Sequence, residues 1–409
     1  MDTPRLSIRA GHPDFLDLDW SSRIEDWASE RTVDLPTGIH RHPIVFVPYR
    51  RDIYAVKELS LRTARHEYAM LRKLRELQAS AVEPVGVVER PWLDPHTEGA
   101  GAVITRYLDY SVSYRELLEG DGFGSRRNQM LNAFANLLAE LHVLGCFWGD
   151  ASLSNVLYRF DAEALQVTMV DAETVDIHDE LTDGQRHHDL EIMIENVAAG
   201  MADIAARSED LPEWAKPMAM SLTLDEADLG LGEDIAARYH DLWHELTRSE
   251  VVDRNERYLI SARIRRLNEL GYEVDDVEIS SDDPDGSLRF RLKVGGRRFH
   301  SSRLRDITGI DATEGQARVI LDDLHYHARD KTATPSERAM AAVRWRTEVF
   351  EPLLERIRHV AGPTANPIQG YADFLNHRYL MATETQRDVD SDEAFERWVA
   401  KGLPGYPLT

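Results

Sequence analysis

Short apolar runs alternate with turn sequences over the first quarter of the chain, a pattern that predicts strands joined by tight turns. Two of these runs flank residues 48–52, as in a β-hairpin. Between residues 62 and 77 the apolar positions recur every three or four residues, as one face of a helix requires. The predicted strands lie at residues 44–47, 53–56, 85–88 and 102–105. The pattern therefore predicts a small antiparallel sheet with one helix.

Residues 1–36 precede this sheet as a polar lead with a predicted helix near residues 22–30. The break at residues 35–38 marks the expected start of the structured core. Beyond the sheet, apolar residues at helical spacing predict a long helix over residues 130–144. Gly145 supplies the left-handed position that commonly ends a helix.

Two short strand-like runs follow that helix, at residues 153–158 and 167–170, and a further helix is predicted over residues 185–198. The sequence then becomes polar and acidic, which predicts a boundary between residues 205 and 235. Beyond it the predicted elements are helices at 235–246, 254–270 and 314–328, strands at 273–280 and 288–294, and a helical tail interrupted at 362–367.

The charge of the chain limits its partners. Of the 409 residues 72 are acidic and 48 are basic, so the net charge of −24 repels phosphate backbones and anionic membranes and disfavours bulk nucleic-acid binding. Arginine supplies most of the positive charge, which makes each lysine informative. The lysines are Lys57, Lys73, Lys216, Lys293, Lys331 and Lys401.

The location of the protein is predicted from what the sequence lacks. Cys146 is the only cysteine, so no internal disulfide can form, and the first residues show no secretion signal. No apolar run reaches the length of about 18 residues that spans a bilayer. We therefore expect a cytoplasmic, multidomain protein.

Two acidic residues and an asparagine form the central chemical motif. Asp150 is followed five residues later by Asn155, which is the spacing of a kinase catalytic loop. Asp171 ends the apolar run at residues 167–170, where the main metal-binding carboxylate of such a site belongs. Phosphoryl transfer requires metal on the phosphates and an acceptor hydroxyl held beside a base. Asp150 is thus the predicted base, and Asn155 and Asp171 the predicted metal ligands.

Upstream residues complete this motif. Lys57 ends the second strand of the predicted hairpin, the position that presents a lysine to the α- and β-phosphates, and Ala55 is small enough to lie over adenine. Glu67 lies on the apolar face of the next helix and can pair with Lys57. Each element alone occurs by chance in many proteins, but their order and spacing together predict a protein-kinase-like fold.

These residues resemble the signature of atypical kinases. The run from Gly149-Asp150 to Asn155-Val156-Leu157, followed by Val170-Asp171, is similar to that of aminoglycoside phosphotransferases and, more closely, of lipopolysaccharide (Kdo/heptose) kinase-like proteins. The resemblance covers about residues 38–205. Residues 148–155 and 170–174 also resemble an actinobacterial branch in which such a kinase domain is joined to a C-terminal domain of unknown function.

The resemblance implies an α+β, bilobal fold with catalytic Asp150, Lys57 and Glu67, metal-binding Asn155 and Asp171, and ATP and Mg²⁺ as cofactors. It also implies a hinge that binds the nucleotide base. The hinge would be formed by Thr105, Arg106, Tyr107 and Leu108. The predicted parts are an N-terminal lead (1–36), an N-lobe (37–108), a C-lobe core (109–205) and an accessory region (206–409). The accessory region comprises an α+β unit at about 254–330 and a helical tail at about 335–400.

The sequence departs from the family pattern in several places. Trp148 replaces the usual histidine, Ala172-Glu173 replaces Phe-Gly after the metal-binding aspartate, and no basic residue lies between Asp150 and Asn155. Residues 38–42 replace a glycine-rich loop, and its Arg41 and His42 are expected either to contact phosphate or to be solvated side chains. Asp189, on the helix after the metal-binding segment, is expected either to brace the catalytic loop or to be an ordinary surface acid.

The leading hypothesis is an ATP- and Mg²⁺-dependent phosphotransferase that acts on a hydroxyl group. By the resemblance alone, a saccharide or another small molecule is the first candidate acceptor. The alternatives are a protein Ser/Thr kinase and a pseudokinase or nucleotide-binding scaffold without phosphoryl transfer. Arg289, Arg291 and Lys293 alternate with apolar residues on one predicted strand. They predict either a docking surface for an anionic partner, with nucleic acid disfavoured, or a solvated face that balances nearby acids.

Overall fold

The computed structural model divides the chain into two units. Met1–Arg159 and Val167–Leu246 form the N-terminal unit, and Phe160–Gln166 and Thr247–Thr409 form the C-terminal unit. The described residues are 3–35, 41–50, 52–119, 126–162, 164–209, 230–280, 287–328, 334–362 and 365–405. Residues 210–229, within the predicted boundary, and residues 281–286, between two of the predicted strands, lie outside them. No helix in the described residues is long and apolar enough to cross a membrane.

The sheet of the N-terminal unit has five antiparallel strands, which are β1 (Arg5–Ile8), β2 (Ile44–Tyr49), β3 (Asp52–Leu59), β4 (Pro84–Glu89) and β5 (Gly101–Arg106). Their order in the sheet is β1-β4-β5-β3-β2. Helix α1 (Leu61–Glu76) begins at Ser60, whose side chain accepts a hydrogen bond from Thr63 N, and it buries Leu71 and Leu74. The predicted hairpin, the next two strands and the helix are confirmed.

The N-terminal lead is part of this structured core, contrary to the expectation that the core begins near residue 37. Strand β1 pairs with β4, and Phe15, Trp20 and Trp27 pack on the sheet. The helix expected at residues 22–30 is wrong, because only Ile24–Asp26 forms a single 3₁₀ turn.

Two buried charged residues explain the shape of the lead. Glu58 accepts hydrogen bonds from Ile24 N at 3.1 Å and from Arg23 Nε at 2.5 Å. Arg90, which pairs with Glu58, donates to Trp20 O at 2.8 Å. These side chains bind groups of the lead that a helix would have used internally, so long-range contacts override the local helical pattern.

The rest of the N-terminal unit is mainly helical. Its helices are α2 (Tyr114–Glu119), α3 (Arg126–Val143), α4 (Asp183–Glu209) and α5 (Leu231–Thr247). The short strands in this part of the chain are β6 (Cys146–Phe147), β7 (Val156–Asp161), β8 (Ala164–Met169) and β9 (Asp176–Ile177), paired as β6-β9 and β7-β8. Gly145 follows α3 with a φ of +76°, and a Cβ there would lie 2.0 Å from His178 O, so only glycine fits this turn.

The C-terminal unit combines a three-stranded antiparallel sheet with helices. Strands β10 (Glu250–Val252), β11 (Val274–Ser280) and β12 (Leu288–Val294) lie in the order β10-β12-β11. The helices are α6 (Tyr258–Glu269), α7 (Phe299–Thr308), α8 (Glu314–Ala328), α9 (Pro335–Trp345), α10 (Glu351–Ala361), α11 (Pro367–Thr385) and α12 (Ser391–Ala400). The predicted strands and the helix at residues 314–328 are confirmed.

A buried carboxylate organises the helices of this unit. Asp323 Oδ2 accepts hydrogen bonds from Trp345 Nε1 and from the Tyr371 hydroxyl, both at 2.9 Å. Its other oxygen accepts from Arg378 Nη2, also at 2.9 Å. These three hydrogen-bond donors compensate for the hydration that the buried Asp323 carboxylate loses.

The basic strand predicted from sequence is β12, and its charged side chains are exposed. On the neighbouring strand β11, Glu278 lies opposite Arg291 and Asp276 opposite Lys293. Opposite charges in cross-strand positions attract each other. This arrangement favours the interpretation in which Arg289 and its neighbours balance nearby acids, and a docking surface for an anionic partner stays a prediction.

Candidate active site

Lys57 lies in strand β3, and several acidic side chains lie close to its ammonium group. Its neighbours Val56 and Glu58 are buried on the face that the lead covers, so Lys57 points to the opposite face. There its Nζ lies 2.7 Å from Asp171 Oδ2 and 3.3 Å from Glu67 Oε2. The structure thus brings together three of the residues that the sequence predicts, from β3, from α1 and from the segment after β8.

Glu173 is a third carboxylate near Lys57, at 3.8 Å, and sequence reasoning treated it only as a departure from the family pattern. Burial by itself would lower the pKa of Lys57, but Glu67, Asp171 and Glu173 outweigh this effect and raise it. Burial raises the pKa of Glu67, and the Lys57 charge offsets only part of the rise. Three carboxylates around one ammonium leave an excess of negative charge, which favours binding of a cation.

Asp150 lies in the loop between β6 and β7, and two amides fix its carboxylate. Asn155 Nδ2 donates to Asp150 Oδ2 at 3.1 Å and to the Asp150 carbonyl oxygen at 2.9 Å. Asn196, on helix α4, donates to Asp150 Oδ1 at 2.8 Å. Burial raises the pKa of Asp150, while these hydrogen bonds and the charge of Arg41 oppose the rise. Sequence reasoning missed Asn196, because it is distant in the chain and has no motif of its own.

Asp189 braces the loop that carries Asp150, which confirms the first of the two alternatives for this residue. It is fully buried on helix α4, and it accepts hydrogen bonds from Trp148 N at 2.7 Å and Gly149 N at 2.8 Å. His142 Nε2 lies 3.1 Å from the same carboxylate. Gly149 has a φ of +76°, which the turn before Asp150 requires.

The segment before β2 reaches the same site. Arg41 is exposed, and its charge lowers the pKa of Asp150. His42 Nδ1 lies 2.7 Å from Glu98 Oε1, and its Nε2 lies 3.3 Å from Glu173 Oε2. Residues 38–40 of the predicted phosphate-covering loop lie outside the described residues. Contact of Arg41 or His42 with phosphate stays a prediction.

The predicted hinge consists of the last two residues of strand β5 and the two residues that follow it. Ala55 lies opposite Thr105 in the pairing of β3 with β5, and Tyr107 N donates to Ile53 O at 2.9 Å. Arg106 Nη2 donates to Asp52 Oδ1 at 2.5 Å, so its side chain is already paired. Leu108 is partly buried. Base binding by Ala55 and the four hinge residues stays a prediction.

The predicted metal ligands fit a magnesium ion. The amide nitrogen of Asn155 is used by Asp150, and within the described part of the chain no hydrogen bond uses its side-chain oxygen. Asp171 adds a carboxylate that accepts from Glu173 N at 3.1 Å. The described residues contain no cluster of three or more His, Cys, Asp or Glu side chains suited to a metal. Magnesium is usually held by one or two protein side chains together with substrate phosphates and water, which matches this donor set.

A small antiparallel sheet with one helix is followed by a mainly helical lobe that contains the Asp150 loop. This arrangement defines a kinase-like domain. Residues 47–212 match the lipopolysaccharide kinase (Kdo/WaaP) family, and residues 241–403 match a domain of unknown function, DUF4032. Residues 47–212 are thus similar to kinase-like proteins of the Kdo/WaaP family, and residues 241–403 to DUF4032, as the resemblance in the sequence implied.

Among solved structures, one described as "WaaP in complex with acyl carrier protein" matches with a TM-score of 0.34 and 17% sequence identity. The match covers 58% of this chain and 89% of that chain. No curated protein matches this chain.

Proposed function

We propose that this protein transfers the γ-phosphoryl group of ATP to a hydroxyl acceptor, with Mg²⁺ bound by Asn155 and Asp171. The observation that carries the proposal is the position of Lys57, which contacts Asp171 at 2.7 Å and Glu67 at 3.3 Å. In kinases the lysine–glutamate pair and the metal-binding aspartate must both be in place for phosphoryl transfer.

Lys57 would bind the α- and β-phosphates while Glu67 keeps its ammonium group in position. Glu67 is 1% exposed, so its carboxylate interacts with Lys57 in surroundings that screen charge weakly. Bound Mg²⁺ would neutralise charge on the phosphates and orient them. Asn155 and Asp171 would hold the ion, and Asn155 at the same time holds Asp150.

Asp150 would orient the acceptor hydroxyl and accept its proton. Hydrogen bonds from Asn155 and Asn196 fix its two carboxylate oxygens, which leaves little conformational entropy to lose when the acceptor binds. Burial raises the pKa of Asp150, which makes the carboxylate a better proton acceptor than a solvated aspartate.

The acceptor is proposed to be a hydroxyl of a saccharide or another small molecule, on the strength of the family match to lipopolysaccharide kinases. A protein serine or threonine is the second candidate. The cytoplasm, where ATP is available, is the proposed location. Transfer to a protein would appear as phosphorylated serine or threonine, whereas transfer to a saccharide would not.

The proposal is tested by following γ-labelled ATP with saccharide and protein acceptors. Wild type should release ADP and label one acceptor class, Asp150→Asn should lower turnover at least about 100-fold, and Asp171→Ala should abolish it. Asp179→Asn, an exposed aspartate, is the matched control and should leave turnover unchanged. Turnover that survives both active-site changes would contradict these assignments. Tight MgATP binding without transfer to any acceptor would favour the pseudokinase alternative.

A further inference from the structure

The hairpin of β7 and β8 connects the two proposed metal ligands. Asn155 directly precedes β7, and Asp171 follows β8 by two residues. The hairpin closes beside both ligands, where Val170 N donates to Asn155 O at 3.0 Å. A change at the far end of this hairpin can therefore reach both ligands through one continuous element.

The turn at the far end of this hairpin, Phe160–Gln166, belongs to the C-terminal unit. Asp161 in this turn has no solvent exposure, and its Oδ2 accepts a hydrogen bond from the Thr313 hydroxyl. Thr313 directly precedes helix α8, and a carboxylate at the N-terminus of a helix is favoured by the helix dipole. The hairpin turn is thus held by the first turn of α8.

Packing at the same helix end is close. A Cβ on Gly315 would lie 3.0 Å from Asp161 O and 3.2 Å from Gln166 Nε2, so α8 approaches the hairpin turn directly. Burial of a carboxylate is costly unless the carboxylate is hydrogen-bonded. An exposed polar residue could form an ordinary hairpin turn without this cost. The buried Asp161 therefore specifies one position of the turn against α8.

A two-stranded hairpin has little stability by itself, so its conformation depends on what holds its ends. At the active-site end, Val82 N donates to Met169 O at 2.9 Å, and Tyr158 N donates to Val112 O at 2.8 Å. At the other end, the hydrogen bond between Asp161 and Thr313 fixes the hairpin. Loss of the hydrogen bonds at either end would allow strands β7 and β8 to shift.

We propose that Asp161 and Thr313 are positioning residues, through which the C-terminal unit sets the placement of Asn155 and Asp171. This inference rests on the proposed function of those two residues as metal ligands. It gives the C-terminal unit a role in catalysis that requires no contact with ATP or with the acceptor.

The test compares Thr313→Val with Thr313→Ser in the full-length protein. Thr313→Val keeps the shape but removes the hydroxyl, and it should raise the Mg²⁺ concentration for half-maximal turnover about tenfold. Thr313→Ser retains the hydroxyl and should restore the wild-type value. Asp323→Asn removes a buried carboxylate elsewhere in the same unit and should lower the melting temperature without changing the Mg²⁺ requirement.

Hydrogen exchange supplies a readout that does not depend on activity. Thr313→Val should speed exchange of the Tyr158 and Val170 amides, which lie toward the active-site end, and Asp323→Asn should not. Unchanged exchange at these amides would overturn the inference even if the wild type proves inactive. An active wild type whose Mg²⁺ requirement is unaffected by Thr313→Val would also overturn it, and would leave the proposed function intact.

Discussion

At the scale of single residues, charge balance around Lys57 explains both the stability and the chemistry of the site. One ammonium group faces the carboxylates of Glu67, Asp171 and Glu173, at 3.3, 2.7 and 3.8 Å. Removal of the ammonium leaves three acids close together with no compensating charge. The cost should appear in folding as well as in turnover.

Lys57→Met should therefore lower turnover at least about 100-fold and the free energy of unfolding by about 3 kcal/mol. ATP turnover and urea denaturation measure the two effects. Lys73→Met is the matched control, because Lys73 is the only other lysine in the first 215 residues and is exposed on α1. Full turnover in Lys57→Met would remove Lys57 from the site.

Asp373 predicts a pH dependence of stability in the C-terminal unit. Burial and the nearby charge of Asp161 raise its pKa from 3.8 to about 6, against the hydrogen bond from Gln369. Because the folded-state pKa is raised, its contribution to stability is fully present below pH 3.8 and is lost as the pH rises through about 6. Asp373→Asn should remove this loss and stabilise the protein at pH 7.5 by about 1 to 3 kcal/mol.

Urea denaturation of wild type and Asp373→Asn between pH 4 and pH 8 measures this difference. The difference in unfolding free energy between the two proteins should increase between pH 4 and pH 6 and stay constant above pH 6. Asp322→Asn, an exposed aspartate on α8, is the control and should follow the wild type at every pH. A gap that does not change with pH would contradict the raised pKa.

At the scale of elements, helix α4 holds the catalytic loop through Asp189 and Asn196. Asp189 bonds the backbone of Trp148 and Gly149, and Asn196 bonds the Asp150 carboxylate. The loop is therefore fixed by a helix that follows it by about 40 residues. This arrangement places rigid support behind the reacting carboxylate.

Asp189→Asn should weaken this support, since an amide has one acceptor oxygen for the two backbone donors. We expect a loss of about 2 kcal/mol in unfolding free energy and a lower kcat, with the KM for ATP little changed. Calorimetric melting and steady-state kinetics measure these effects. Asp183→Asn, at the exposed start of the same helix, is the control. Equal losses in both variants would contradict a bracing role.

The elements with strong local patterns were predictable from sequence. The β2-β3 hairpin and α1 follow from periodicity, and the order of Lys57, Asp150 and Asp171 predicts that they meet in one site. The lead and Asn196 were not predictable, because their places depend on partners far along the chain. Arg90 and Glu58 hold the lead, and the amide of Asn196 carries no local signal.

At the scale of the whole molecule, the chain joins a region similar to the Kdo/WaaP family to a region similar to DUF4032, and the two structural units are not continuous in sequence. Phe160–Gln166 lies between the proposed metal ligands in sequence but belongs to the C-terminal unit. The family match does not predict that this turn belongs to the C-terminal unit. It depends on the long-range contact between Asp161 and Thr313.

The proposed magnesium-dependent nucleotide site is tested most directly by calorimetric titration of ATP with and without Mg²⁺. The titration should be made on wild type, Asp171→Ala and the exposed control Asp322→Ala. Wild type and control should show Mg²⁺-dependent ATP binding, and Asp171→Ala should weaken this binding at least about 100-fold. Absence of MgATP binding by folded wild-type protein, or equal binding by Asp171→Ala, would contradict it.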